Sequence, residues 1–279
     1  MKRKTQIKRD MKRNLFLFTL FFFLFGSFTY SQEGKEQVLR QTNVEELKTR
    51  AENYKQQSIK EKKEAVKMAR KKGWIVRKEF DNGRVMEIQR VENGKPIYYV
   101  TYNLVAAKTI STNEVWDGGA AGLDLSGSGL TAGVWDGGKV RTTHQEFEGR
   151  ATQQDGATSL SDHATHVSGT VGASGIDPDA KGMAHQANID TYDWGADLSE
   201  MSSAASDGLL VSNHSYGIPA GWTFSGGWVW KGDPSISDQE DYKFGFYNDL
   251  CADWDELAND APYYQMVVAA GNDRGEEPS

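Results

Sequence analysis

The chain has 279 residues, 32 Lys+Arg against 39 Asp+Glu for a net charge of −7, and one cysteine, Cys251. That length accommodates one large domain with accessory segments. A single cysteine excludes an intramolecular disulfide, and the acidic balance of the larger part of the chain speaks against a nucleic-acid partner, whose phosphates it would repel.

Residues 1–31 read as a secretory signal peptide. Lys2, Arg3, Lys4, Lys8, Arg9, Lys12 and Arg13 form a basic start, and "LFLFTLFFFLFG" follows as an apolar run too short to span a bilayer comfortably. Thr29 and Ser31 occupy −3 and −1 of a cut before Gln32, and Met11 opens a shorter leader of the same form. The expected location is secreted or at the cell surface, with no membrane association after the leader is removed.

Residues 32–112 form a second, basic unit, with 18 Lys+Arg against 11 Asp+Glu, whereas residues 113–279 carry 7 against 27. Opposite charge on adjoining segments predicts that the basic one docks on the acidic one. Asn43 to Lys72 is rich in helix formers, free of Gly and Pro and thin in apolar residues, which predicts a mostly exposed helix. After Gly73, "WIVRKEF", "RVMEIQRV" and "PIYYVTYNLV" alternate and are separated by "DNG" and "ENGK", the signature of antiparallel hairpins. The segment therefore reads as a small α+β module, either a stalk, an unrelated small domain or a propeptide.

From residue 113 the pattern becomes α/β, a mostly parallel sheet flanked by helices. Leu130 to Trp135 is a short apolar strand ending at Asp136, the position where open α/β sheets place chemistry. "GMAHQANIDTYDW" is a candidate strand, "DLSEMSSAASDG" a helix, "LLVSNHSYG" a strand ending at Gly217, and "DLCADWDELANDA" an amphipathic helix. "YYQMVVAAGND" reads as a buried strand ending at Gly271 and Asn272, and the aromatic stretch Ile218 to Tyr247 as a long surface loop.

"SDHATHVSGTV" places His163 and His166 three apart among small residues. Taken alone, the pair fits metal ligands, a catalytic base with a neighbour, or two core histidines. Its spacing is not that of the helical zinc signature, which separates its histidines by four and includes a glutamate base. Ala164 and Thr165 stand between them instead.

Four stretches taken together resemble the subtilisin-like serine peptidases. "VWDGG" matches the family's Asp motif, with Gly137 where Ser or Thr is commoner. "HATHVSGTV" matches its His motif, with Ala164 for the usual Gly. "SNHSYG" is similar to the strand that lines the substrate cleft, and "VVAAGND" to the oxyanion-asparagine motif. All four fall in the family's order within residues 130–275. The resemblance implies that His163 is the general base, that Asp136 accepts its Nδ1–H and fixes its tautomer, and that Asn272 donates to the developing oxyanion. It also implies that Ser215, Tyr216 and Gly217 pair with an extended polypeptide substrate, and that the basic region is a propeptide acting on the acidic domain. His166 is then expected to be a buried structural histidine and His144 a residue at or near the surface.

No cofactor is required by this reading and no metal site is assigned, although acidic clusters such as "DPSISDQED" could hold a structural calcium through oxygen ligands. The family's serine motif, a Gly-Thr-Ser stretch opening a helix, does not occur in the sequence, and neither does Gly-x-Ser-x-Gly. Two function classes follow: a peptidase truncated before its nucleophile, or a non-catalytic binding version of the fold. A binding version would be free to lose Asp136, His163 or Asn272, so the truncated peptidase is the expectation, inactive as residues 1–279 alone.

Overall fold

The computed structural model describes residues 34–79, 85–101, 110–224 and 228–272. The predicted leader, the "DNG" turn and residues 102–109 lie outside the described residues.

The basic region begins with helical residues 34–41 and then helix α1, Val44–Lys72. Its limits follow from local chemistry. Asn43 Oδ1 accepts from the Glu46 amide at 3.4 Å, and Gly73 closes the helix at φ 71°, its N–H reaching back to the Ala69 carbonyl. Along its 29 residues only Leu47, Ala65 and Ala69 are buried, as a helix thin in apolar residues requires. Strands β1 (Arg77–Glu79), β2 (Val85–Glu92) and β3 (Lys95–Thr101) pair antiparallel beside it. Asn93 (φ 49°) and Gly94 (φ 77°) make the β2–β3 turn with both central residues left-handed, the geometry that matches strand twist. Ala65 and Ala69 pack on Ile88, and this small core holds helix and sheet together.

The acidic region contains β4 (Thr131–Asp136), β5 (Ala151–Gln153), β6 (Asn188–Asp193), β7 (Val211–His214), β8 (Tyr216–Gly217), β9 (Trp222–Phe224), β10 (Trp228–Trp230) and β11 (Gln265–Val268). Its helices are α2 (Asp162–Gly172), α3 (Asp197–Ser206) and α4 (Asp249–Asp260). Five strands form one sheet in the order β11-β7-β4-β6-β5, every pair parallel. Alternation along β4 divides the core. Val134 faces Val140, Phe147, Ala164, Val167 and Ile189 on the α2 side. Trp135 faces the opposite layer with Trp194, Met201, Leu257 and Tyr264, and stacks on Tyr192 at 4.1 Å. Helix α2 lies close on the sheet because its residues are small: a Cβ on Gly172 would sit 2.6 Å from Ile189 Cδ1.

Three expectations are corrected here. The stretch ending at Gly217 is not one strand. β7 stops at His214, and Tyr216–Gly217 pairs instead with β3 of the basic region, a pairing no local pattern announces. β11 is exposed, with Val267 and Val268 about half accessible, because among the described residues it pairs only with β7 at the sheet's edge. The aromatic stretch after Gly217 is not all loop, since β9 and β10 form a hairpin carrying Trp222 against Trp230 at 5.3 Å.

Two of the contacts that dock the basic region on the acidic one are made by α1 and β3. Leu47 enters the core beside Trp135, and Arg50 Nε lies 2.9 Å from Asp260 Oδ2 while its Nη1 also pairs with Glu256. The second contact is the β3–β8 ladder, with Val100 opposite Gly217 and Thr101 opposite Tyr216. Among the described residues no helix is long and apolar enough to cross a membrane.

Candidate active site

Asp136 is the last residue of β4 and is fully buried. Two residues beyond Val134, it shares the face on which α2 packs, so strand alternation alone aims its carboxylate at that helix. Helix α2 starts at Asp162 because Ser161 caps it, Oγ accepting from the Ala164 amide at 3.1 Å. His163 is therefore in the first helical turn, above the end of β4. Its Nδ1 lies 2.9 Å from Asp136 Oδ1 and 3.0 Å from Oδ2. The Gly137 amide donates to Oδ1 at 2.7 Å, which gives the buried carboxylate a second partner. The imidazole is nine-tenths covered, and among the described residues its Nε2 has no hydrogen-bond partner. A carboxylate on Nδ1 holds the proton there and leaves Nε2 as the basic atom.

The surroundings explain one departure from the family pattern. A Cβ on Gly137 would meet the Trp194 ring at 2.9 Å, and that ring is itself fixed, buried and donating from Nε1 to Glu87 Oε2 at 2.8 Å. Arg77 of the basic region donates to the Gly137 carbonyl at 3.0 Å and lies 3.4 Å from Glu87. Three residues of the basic region, with Lys62 at 3.0 Å from Glu87, thus gather next to the strand end that carries Asp136.

Carboxylates crowd the same edge of the sheet. Burial, then Glu87 and Asp155, push Asp193 at the end of β6 up to about 7. Burial and Asp155 push Glu200 of α3 up to about 8, against the Trp135 Nε1 donor at 3.0 Å. Neither residue carries a sequence signal; what could have suggested them is only the density of acids in "DTYDWGADLSE".

Ser215 follows β7, and Tyr216–Gly217 is the strand that β3 occupies. Tyr216 is buried, its hydroxyl donating to Asp197 Oδ2 at 2.9 Å. Asn272 lies four residues past β11 and is exposed; because β4, β7 and β11 run parallel, their C-terminal ends share one edge of the sheet, the edge of Asp136. The expectation for His166 is corrected: it is exposed, because the side of α2 that packs inward is the one carrying Ala164, Val167 and Ser168. His144 is exposed too, its Nδ1 accepting from the Glu146 amide at 3.4 Å. Asp233 and Asp241 of the acidic stretch are engaged by Lys95 and Lys243 respectively. Among the described residues no three His, Cys, Asp or Glu side chains converge as a metal would need.

A family model described as the Subtilase family matches residues 105–279. No curated protein matches the chain. A solved structure titled "Crystal structure of a cold adapted subtilisin-like serine proteinase" is 27% identical, with a TM-score of 0.26 over 33% of this chain and 38% of that one. The chain thus spans less than half the length of that proteinase.

Proposed function

The chain belongs to the subtilase family, and from that premise we propose that it is a secreted serine endopeptidase in which His163 is the general base and Asp136 its orienting partner. The carrying observation is the bidentate contact of His163 Nδ1 with a fully buried carboxylate, which leaves Nε2 free to take a proton. Asn272 donates to the oxyanion of the tetrahedral intermediate, and Ser215, Tyr216 and Gly217 hold the substrate backbone by strand addition. The nucleophile is a serine hydroxyl that approaches His163 Nε2. No hydroxyl among the described residues is a hydrogen-bond partner of that atom, so we place the serine in a motif that follows Asn272 in the gene product.

Residues 32–112 act as a propeptide. Two features support this: the opposite charges of the two regions, and the position of β3 on the strand that substrate would use. Residues 1–31 direct export. Polypeptides are the substrates.

The test is the gene product that includes the serine motif. A fluorophosphonate should label one serine, and His163→Ala should abolish both labelling and peptide hydrolysis. Asp136→Asn should lower kcat by about four orders of magnitude, the general effect of losing the orienting carboxylate. Peptide binding without turnover would instead favour the non-catalytic version of the fold, and hydrolysis surviving His163→Ala would overturn the assignment.

A further inference from the structure

The register of β3 on β8 gives Tyr99 a particular place. Val100 lies opposite Gly217 and Thr101 opposite Tyr216, so Tyr99 sits two residues before the position paired with Tyr216. It is almost fully buried. Its ring lies 5.0 Å from that of Tyr216 and 5.8 Å, edge-on, from that of Trp194, while those two rings stand 5.5 Å apart. The floor of this recess is Asp197, whose carboxylate accepts from the Tyr216 hydroxyl at 2.9 Å and from the Leu198 amide at 2.8 Å, with the Tyr99 hydroxyl and the Arg90 guanidinium beside it. Trp194, Tyr216 and Asp197 all lie within the segment that matches the family, and Tyr99 lies outside it.

The recess is preorganised from below. Tyr264 donates to Ser212 Oγ at 2.7 Å, and Ser212 lies 2.8 Å from His214 Nε2. His214 Nδ1 is 3.0 Å from the Tyr216 hydroxyl, which donates to Asp197. Burial drives the His214 pKa down to about 3, so the ring is neutral. Nε2 then accepts, Nδ1–H donates, and every donor along the line is used in one direction. Tyr216 and Asp197 are held whether or not a side chain fills the recess.

We propose that the recess formed by Trp194, Tyr216 and Asp197 is a specificity pocket that selects tyrosine in peptide substrates, and that Tyr99 is its occupant within the chain. The inference rests on the peptidase reading above. Strand pairing is indifferent to side chains and the aromatic walls accept any flat ring, so Asp197 is the selecting group. Phenylalanine would leave the carboxylate one donor short in a dry site. Because Tyr216 and the Leu198 amide still serve it, the discrimination is on the order of tenfold to a hundredfold, well below that of a site left wholly unpaired.

With the mature gene product, kcat/KM is measured for fluorogenic peptides carrying Tyr, Phe, Leu or Ala two residues before the residue that pairs with Tyr216. Tyrosine should exceed phenylalanine by about tenfold or more, and Asp197→Asn should collapse that ratio. A second readout does not need turnover. On the His163→Ala protein, fluorescence anisotropy compares the peptides KPIYYVT and KPIYFVT. If the mature gene product with His163 intact hydrolyses none of the peptides but the tyrosine peptide still binds the variant about tenfold tighter, the pocket stands and the peptidase reading falls. Equal affinities, or a tyrosine preference that persists in Asp197→Asn, would overturn the pocket.

Discussion

Glu200→Gln tests whether the crowded carboxylates beside the site govern stability. Glu200 accepts from Trp135 Nε1 at 3.0 Å, and glutamine can accept the same bond, so the substitution removes a charge and little else. In the folded chain burial and neighbouring acids raise its pKa from 4.5 to about 8. A raised folded value means that its contribution to stability is fully present below about pH 4.5 and is lost as pH rises through about 8. At 1.36 kcal/mol per pH unit the upper bound of that loss is about 5 kcal/mol. Partial solvation and the shared titration with Asp193 and Asp155 bring the expectation to about 2–4 kcal/mol at pH 9. Glutamine is neutral throughout, so the variant should match the parent at pH 4 and exceed it by that amount at pH 9. Urea midpoints followed by tryptophan fluorescence at pH 4, 6, 7.5 and 9 measure the difference. A stability difference independent of pH would refute the argument, because it would show that Glu200 is ionised alike in the folded and unfolded chain.

Gly137→Ser, which restores a residue common at that position in the resembled family, should destabilise this chain by about 1–3 kcal/mol in the same urea assay, since its Cβ would overlap the immobile Trp194 ring. Arg50→Ala removes the cation shared by Asp260 and Glu256 and leaves Asp260 largely buried beside its Asn43 contact. It should cost about 1–3 kcal/mol and speed amide exchange along α1, and an unchanged exchange pattern would show that the remaining contacts, Leu47, Arg77 and the β3–β8 ladder among them, suffice for docking. His166→Ala should change stability by less than about 0.5 kcal/mol by thermal melting, as expected for an exposed position. A loss above about 1 kcal/mol there would refute the link drawn between its exposure and a small effect.

How much was legible in advance depended on how far each signal reached along the chain. Helix α1 could be bounded from Asn43 and Gly73, because a cap is formed by atoms within a few residues of the helix end. The same holds for the Asn93–Gly94 turn. Asp136 and His163 were singled out by the short motifs "VWDGG" and "HATHVSGTV", and what places them in the structure is also local: strand alternation sets the face of Asp136, and the Ser161 cap sets the start of α2. The tertiary structure decided the rest. Whether Tyr216 would extend β7 or leave it for β3 depended on a strand more than a hundred residues earlier, which competes for the same backbone groups. The exposure of His166 depended on which side of α2 met the sheet, and a helix of small residues with little amphipathic contrast does not reveal that side. Gly137 is explained only by the Trp194 ring above it. The raised carboxylates at Asp193 and Glu200 arise from burial and from charges brought together by folding, and a sequence records charge but not the water removed from around it.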